Sequence, residues 1–225
     1  SLTFWLKCAR VKTTNTATPD LSTMTRIITS VLLSLSFGLC FAQDLSMWTS
    51  KTTTQQSEMT YFMWVTHVGP KFTLDVRQGF DAPNTFGGYI GTTPIGKDST
   101  FWIIPEIGGL IGDQKGFGPE LLAGGTNGRF RYFMFVQYVF GVESCESFFF
   151  TYDEIHYELK STGLRVGTAT QMFWGESQTD FPGFDIGPQM KIPLGKSFYL
   201  KPWYTWNLET GKQKFITGLG YTFQQ

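Results

Sequence analysis

The chain contains few charged residues and few cysteines. Charged side chains make up 16% of its 225 residues and sum to a net charge of zero, against roughly a quarter of residues in soluble domains. A neutral chain has no electrostatic reason to bind nucleic acid, so we expect no nucleic-acid partner. Of the three cysteines, Cys8 and Cys40 lie near the N-terminus and Cys145 is the remaining one. A single cysteine after residue 42 excludes an intramolecular disulfide there.

Long apolar runs are also missing from residue 43 onwards. No stretch there approaches the roughly 18–20 apolar residues that a membrane helix needs. Aromatic residues nevertheless make up 17% of the chain, with 22 Phe, 9 Tyr and 7 Trp. A chain that is rich in aromatics, poor in charge and without a helical span is expected to place its apolar surface along strands.

Recognisable catalytic motifs are absent as well. The sequence has no Gly-rich phosphate loop, no nucleophile elbow and no Cys/His cluster with metal-ligand spacing. Its two histidines are His67 and His156, so a zinc site built on them would need carboxylate ligands. We therefore expect no catalytic residues, no metal and no cofactor.

The first 42 residues differ in pattern from the rest. A short basic start is followed by an apolar stretch over 27–39 and by small residues that end at Ala42. This pattern is typical of a secretory signal peptide over 24–42, cleaved after Ala42; an N-terminal membrane anchor is the alternative. Residues 1–23 are then expected to be upstream sequence read from a misplaced start, and 43–225 a single domain.

Beyond the leader, apolar and polar residues alternate with period two. In 129–141 one face is wholly apolar or aromatic, whereas the other carries Arg129, Arg131 and Gln137 beside bulky residues. A helix would scatter the arginines and aromatics around its circumference, so the pattern predicts a strand. The same alternation predicts strands at 101–111, 117–124, 147–159, 164–174, 184–192, 198–208 and 214–223. In 147–159 the alternation changes phase, which predicts a β-bulge near Asp153.

Short polar turns separate these segments. Asn127-Gly128 and Thr210-Gly211 are steps that close antiparallel hairpins. Residues 58–68, 71–80 and 86–93 are predicted as further strands, and 45–53 is a weaker candidate. The segments of roughly ten residues match tilted membrane-crossing strands, and Tyr and Trp near strand ends match an aromatic girdle.

The apolar faces are therefore expected to contact lipid and the mixed, Gly-rich faces to point inwards. A soluble calycin-like barrel or a sandwich would have the opposite orientation, but the polar faces carry too little charge for a surface in water. The sequence predicts an all-β, antiparallel up-and-down transmembrane β-barrel of 10–12 strands, with an even number preferred. Outer-membrane lipid is the expected partner; the pattern leaves the oligomeric state open.

With its leader, its alternating strands and its aromatic last strand Phe215–Phe223, the chain resembles bacterial outer-membrane β-barrel (porin-like) proteins. Those families usually end on the aromatic residue, whereas Gln224 and Gln225 follow here. The Phe-Ala-Gln step at 41–43 resembles leaders of the Bacteroidota. A second likeness, to Tsx-like nucleoside channels, is carried by Pro105-Glu-Ile107, Phe117-Gly-Pro119 and Gly187-Pro188. The resemblance implies location in the outer membrane of a bacterial cell.

Polar residues on the inward faces are the candidate pore-lining residues. They are Glu106, Glu120, Arg129, Arg131, Gln137, Glu154, His156, Glu158, Arg165, Gln171, Asp185, Gln189, Lys191 and Lys201. Isolated charges inside a narrow barrel are costly, so carboxylates and guanidiniums are expected to pair across strands. The cluster at 153–158 also suggests an alternative, in which His156 serves a membrane-embedded lipid-modifying enzyme with Ser147 or Ser161 as the nucleophile.

These observations predict a porin-like passive channel for small polar solutes, not an enzyme. Ten or twelve strands leave more interior space than the eight-stranded barrels that side chains fill. A non-conducting structural or adhesive barrel is the alternative if the paired charges fill the interior.

Overall fold

The computed structural model describes residues 42–52, 58–68, 72–78, 84–92, 94–96, 100–159, 162–175 and 183–222. The predicted upstream segment 1–23 and the predicted signal peptide 24–42, apart from Ala42, lie outside these residues. Within the described part of the chain, no helix is long and apolar enough to cross a membrane.

Twelve strands make up most of the described residues. They are β1 Ala42–Thr52, β2 Glu58–Val68, β3 Phe72–Gln78, β4 Phe86–Thr92, β5 Trp102–Ile111, β6 Gly116–Asn127, β7 Phe130–Gly141, β8 Phe148–Glu158, β9 Arg165–Gly175, β10 Gly183–Pro193, β11 Phe198–Asn207 and β12 Gln213–Thr222. Every strand pairs antiparallel with its neighbours in the chain. β1 also pairs with β12, which closes the sheet into a barrel. The predicted fold class is confirmed, and the segment 45–53 corresponds to β1.

Because the strand number is even, the start of β1 and the end of β12 lie at the same end of the barrel. We call this end, which also carries the turns at 128–129 and 194–197, the terminal rim. The opposite end, with the turns at 112–115, 142–147 and 208–212, is the distal rim. Gly128 and Gly211 have φ of 60° and 67° in their turns, a conformation that residues with a Cβ rarely adopt. The predicted hairpin turns are thus present.

The two faces of the strands differ as the period-two pattern predicted. On β7, Phe130 and Phe140 are exposed, whereas Phe135, Gln137 and Val139 are buried. Large apolar residues are exposed on the same outer face around the barrel; they include Ile90, Ile107, Phe117, Ile155, Trp174, Phe215 and Leu219. A surface of exposed apolar side chains around a polar interior is the arrangement expected in lipid.

Aromatic pairs lie on the outer face near both rims. At the terminal rim Phe130 contacts Tyr157, with ring centroids 5.3 Å apart, and Phe198 contacts Tyr221 at 4.6 Å. At the distal rim Tyr138 and Phe140 are 4.8 Å apart. Two belts of aromatic side chains separated by an apolar zone match the two interfaces of a bilayer.

The predicted β-bulge near Asp153 is wrong. β8 keeps one register with β7 and β9 through this residue, since Asp153 pairs with Met134 on one side and Thr170 on the other. Phe148 and Phe150 therefore lie on the interior face with His156, and Asp153 lies on the outer face. The alternation changes phase because aromatic residues occupy interior positions at one end of β8.

Candidate functional site

A buried cluster of charges lies inside the barrel between β3 and β7. Arg77 of β3 forms an ion pair with Asp75 of the same strand, 2.6 Å away, and a second ion pair with Glu120 of β6. Glu106 of β5 pairs directly with Glu120 in the strand register. β3 and β6 are not neighbours in the sheet, so these side chains meet through the interior. We call Asp75, Arg77, Glu106 and Glu120 the Arg77 cluster.

Polar and aromatic groups surround the Arg77 cluster. Gln137 of β7 donates from Nε2 to the Tyr89 hydroxyl at 2.5 Å and to Glu120 Oε2 at 3.3 Å. The Arg77 guanidinium lies 4.5 Å from the ring centroid of Phe135 and 4.9 Å from that of Tyr89. Cation–π contacts of this kind are strongest where the cation is removed from water. The guanidinium is thus held from β3, β4, β6 and β7 together.

A second cluster lies across the barrel and is centred on Tyr152 of β8. Its hydroxyl donates to Glu154 Oε2 at 2.8 Å and accepts from Gln189 Nε2 of β10 at 2.8 Å. Lys201 of β11 forms an ion pair with Glu154, and the rings of Tyr152 and Trp203 pack edge to face at 5.8 Å. Tyr152, Glu154, Gln189, Lys201 and Trp203 form the Tyr152 cluster.

Charged residues continue towards the terminal rim. Glu158 of β8 lies between Arg131 of β7, at 3.3 Å, and Arg165 of β9, at 3.0 Å. Lys191 of β10 pairs with Arg165 in the strand register, and its Nζ lies 3.7 Å from the ring centroid of Tyr199 on β11. In the other direction, Lys214 of β12 pairs with Asp185 of β10 at 2.9 Å. Both signs of charge therefore line the described interior from one rim to the other.

Apolar packing links the two clusters. Tyr152 contacts Phe133, and through it the packed group on β5, β6 and β7 that contains Ile104 and Leu122. The same side chain packs against Ala169, Trp203 and Ile216 on β9, β11 and β12. A continuous series of side-chain contacts thus crosses the described interior at this level, from β5 to β12.

Several interior polar atoms have no hydrogen-bond partner among the residues that the structure describes. They are both carboxylate oxygens of Glu106, His156 Nε2, Asp185 Oδ1, Gln189 Oε1, Trp203 Nε1 and Thr205 Oγ1. Buried polar atoms in proteins are normally bonded to protein, water or ligand. These atoms are distributed over β5, β8, β10 and β11. The interior therefore presents donors and acceptors that can form hydrogen bonds with water or a solute.

All but one of the predicted pore-lining residues lie on the interior face. The interior set is Glu106, Glu120, Arg131, Gln137, Glu154, His156, Glu158, Arg165, Gln171, Asp185, Gln189, Lys191 and Lys201. Arg129 is the exception, and its predicted inward position is wrong. It lies in the turn before β7, and its Nη1 donates to the hydroxyl of Tyr157 on the outer face at 2.9 Å.

The sequence analysis missed Asp75, Arg77, Tyr89 and Lys214. The signal was present, because Thr73, Asp75 and Arg77 alternate with the apolar Leu74 and Val76 along one strand. All three polar residues are buried. The alternation identifies the interior face of β3, but the partner on β6 is 43 positions away from Arg77.

The arrangement does not support the lipid-modifying alternative based on Ser147. His156 is buried inside the barrel near the terminal rim, whereas Ser147 precedes β8 at the distal rim, where its Oγ accepts from the Gly141 amide. Nine residues of extended strand separate the two by about 30 Å. The other nucleophile considered, Ser161, lies outside the described residues.

One ion pair lies outside the membrane-spanning strands, at the distal rim. Lys115 Nζ donates to Glu143 Oε2 at 2.6 Å, and both side chains are exposed. This hydrogen bond, together with the carboxylate charge, raises the pKa of the Lys115 ammonium group. Exposed pairs of this kind contribute little to stability, so either residue is a suitable position for control substitutions.

The sequence matches no protein-family profile and no curated protein, but solved structures share the fold. The KdgM porin matches with a TM-score of 0.57 and 12% identity, over 80% of this chain and 99% of its own. It is also known in complex with disordered oligogalacturonate. The NanC porin matches with a TM-score of 0.61 and 9% identity, over 80% of this chain and 100% of its own. At such identities the likeness shows the fold, a transmembrane β-barrel of the porin type.

Proposed function

We propose that this protein is a porin-like passive channel of a bacterial outer membrane, for small polar solutes. The observation that carries the proposal is the polar interior, in which charged pairs and unpartnered polar atoms extend between the rims. Burying so many charges costs stability that an apolar filling would not. A polar lining is the feature that lets hydrated solutes cross a membrane.

The mixed sign of the interior charges supports the choice of solute. Arg131, Arg165 and Lys191 lie towards the terminal rim, while three carboxylates and one guanidinium make up the Arg77 cluster. Solutes with several hydroxyl, amide or charged groups can exchange hydrogen bonds with such a lining. The KdgM complex with oligogalacturonate concerns that porin; for this chain we propose small polar solutes as a class.

Export to the outer membrane is part of the proposal. It is supported by the signal-peptide pattern at 24–42, which is similar to Bacteroidota leaders, and by the apolar outer face with its two aromatic belts. Outer-membrane lipid is then the partner of the outer face. The likeness to Tsx-like nucleoside channels makes nucleosides a solute to include in transport assays.

Conductance in planar lipid bilayers tests the channel. We expect the folded wild-type protein to give small currents, because the Tyr152 cluster narrows the described interior. Tyr152→Ala removes the side chain that links the two packed groups and should raise single-channel conductance severalfold. Tyr138→Ala, on the outer face, is the matched control and should leave conductance unchanged. A folded wild type and a folded Tyr152→Ala variant that are both silent would exclude a channel.

A non-conducting structural barrel is the second candidate. The packing from β5 to β12 through Tyr152 favours it, since those side chains occupy the described interior. This candidate predicts that Tyr152→Ala lowers stability without producing a current, so the bilayer experiment separates the two functions.

A further inference from the structure

We infer that Asp75, Glu106 and Glu120 form a binding site for a divalent cation the size of Ca²⁺ inside the barrel. One carboxylate oxygen from each residue lies within 4.8 Å of the other two, and all three residues are buried. They come from β3, β5 and β6, so the site forms only when these strands are assembled in the curved sheet. The inference does not depend on conduction through the channel.

Glu106 gives the observation that points to a ligand. The residue is 5% exposed, and neither of its carboxylate oxygens accepts a hydrogen bond from a donor group of the described residues; the polar group that its side chain meets is the Glu120 carboxyl group. Buried carboxylates in proteins are normally paired, hydrogen-bonded or bound to a metal. The position of Glu106 beside Glu120 in the register makes an unpaired carboxylate there especially costly, since like charges repel.

The charge of the cluster supports a divalent ion. Three carboxylates and the single guanidinium of Arg77 give the Arg77 cluster a formal charge of −2 when all four groups are ionised. Arg77 already bonds to both oxygens of Asp75 and to one of Glu120. Each carboxylate oxygen has two lone pairs, so these oxygens can bind Arg77 and a cation together. One divalent cation would neutralise the cluster.

The ligand type and the way the ligands are held suit Ca²⁺ better than Mg²⁺. Three oxygens no more than 4.8 Å apart are close enough to share one cation, and Ca²⁺ takes oxygen ligands at about 2.3–2.6 Å in flexible geometry. Mg²⁺ needs a near-ideal octahedron at about 2.0–2.1 Å and usually keeps several of its waters, which a buried site made of three carboxylates is less suited to provide. All donors are carboxylates, the hard ligands that Ca²⁺ prefers.

A glycine makes room for the free carboxylate. Gly91 of β4 pairs with Glu106, and a Cβ atom there would lie 2.5 Å from Glu106 Cγ and 2.5 Å from the Pro105 carbonyl oxygen. An alanine at position 91 would therefore displace the Glu106 side chain, and with it the Pro105 carbonyl group, without removing any charge from the cluster.

Thermal unfolding of the full chain, folded in detergent and stripped with a chelator, tests the site. We expect Ca²⁺ at a hundredfold excess over its Kd to raise Tm by about 5–10 °C, and Mg²⁺ at the same concentration to have a much smaller effect. Glu106→Gln should abolish the Ca²⁺-dependent shift, and Gly91→Ala should reduce it. Glu143→Gln makes the same chemical change at the distal rim and should retain the full shift.

A second measurement covers variants that fail to fold. Tb³⁺ added to the wild-type barrel should show emission sensitised by Tyr89, which packs beside the cluster, and Ca²⁺ should displace it. An unchanged Tm together with no sensitised emission would show that protons rather than a metal neutralise the cluster, and would overturn the inference. An equal Ca²⁺ shift in Glu106→Gln and wild type would also overturn it. Absence of channel currents would leave both readouts unaffected.

Discussion

Arg77 is a residue on which interior contacts from four strands converge. It is buried, pairs with Asp75 and Glu120, and lies against the rings of Tyr89 and Phe135. A buried ion pair can be no more stabilising than apolar packing, but removal of one partner leaves the other charge uncompensated. The guanidinium therefore contributes to stability mainly because it neutralises the buried carboxylates of Asp75 and Glu120, and less because the ion pairs are favourable in themselves.

We expect Arg77→Met to lower the free energy of unfolding by about 3–5 kcal/mol, because two carboxylates lose their buried cation. The double variant Arg77→Met/Glu120→Gln should recover part of this loss, since one of the two unpaired charges is removed. Urea titration in detergent with a chelator present, followed by tryptophan fluorescence, measures both. If the free energy of unfolding of Arg77→Met lay within about 1 kcal/mol of the wild-type value, Arg77 would not have this role.

Asp153 is a carboxylate on the outer face, opposite Met134 and Thr170, and its side chain is hydrogen-bonded to Thr151 and Thr170. Acidic side chains on the lipid face destabilise a barrel, although less than Arg or Lys. Asp153→Leu should therefore raise the free energy of unfolding by about 1 kcal/mol in lipid vesicles. Glu143→Leu, in a turn at the distal rim, should leave it unchanged. Lower stability of Asp153→Leu would show that the hydrogen bonds to Thr151 and Thr170 outweigh the cost of placing a carboxylate in lipid.

At the scale of single strands, the hairpin turns hold the register. Gly128 lies in the two-residue turn between β6 and β7 with φ of 60°, and nothing lies within 4 Å of where its Cβ would be. Any effect of Gly128→Ala must come from backbone conformation alone. We expect a loss of about 1 kcal/mol, the typical cost of the left-handed region for a residue with a Cβ.

Gly88→Ala is the matched comparison for that turn. Its Cβ also meets nothing within 4 Å, and it lies on the outer face of β4 with an ordinary φ. Equilibrium unfolding of the two variants should show a loss for Gly128→Ala and no loss for Gly88→Ala. Equal losses of stability in the two variants would show that the loss at Gly128 does not come from the left-handed conformation of the turn.

Strand positions and faces could be predicted from period two because lipid and interior select different side chains at alternate residues. The segments 58–68 and 198–208 agree with β2 and β11 to within one residue. The pattern failed near Asp153, because on β8 aromatic residues lie on the interior face and a carboxylate lies on the outer face, the reverse of the usual composition. It failed at Arg129 because a turn residue has no fixed face.

The pairs inside the barrel could not be predicted, because they depend on how the sheet curves. Gln137 was recognised as an interior residue, yet its contact with Tyr89 joins β7 to β4. Alternation gives the face of each residue but not the partner that barrel closure places opposite. Asp75 and Arg77 carried the same signal as Glu106, and their omission was an error of selection rather than a missing pattern.

At the scale of the whole molecule, stability depends on which solvent surrounds the outer face. Ile107 lies in the middle of β5 and is 64% exposed, whereas Ile111 ends the same strand on the same face and is 70% exposed. The two positions share strand, face and residue type and differ in depth. They are suited to test whether lipid surrounds the barrel.

We expect Ile107→Arg to lower the free energy of unfolding in lipid vesicles by about 2–4 kcal/mol, and Ile111→Arg by no more than about 1 kcal/mol. The difference arises because a charge at mid-depth is far from water. The heat-dependent shift in gel migration of each folded variant, combined with denaturant titration, measures the effect. Equal and small losses at both positions would show that water, not lipid, surrounds the barrel.

The seam between β1 and β12 has a practical consequence. Asp44 is paired with Thr222 across it, so the two ends of the barrel wall are one strand spacing apart at the same rim. A short linker could join them, and a new start placed in the turn at 142–147 would leave every strand with its present neighbours. The barrel should therefore tolerate circular permutation, which would move both chain ends to the opposite side of the membrane.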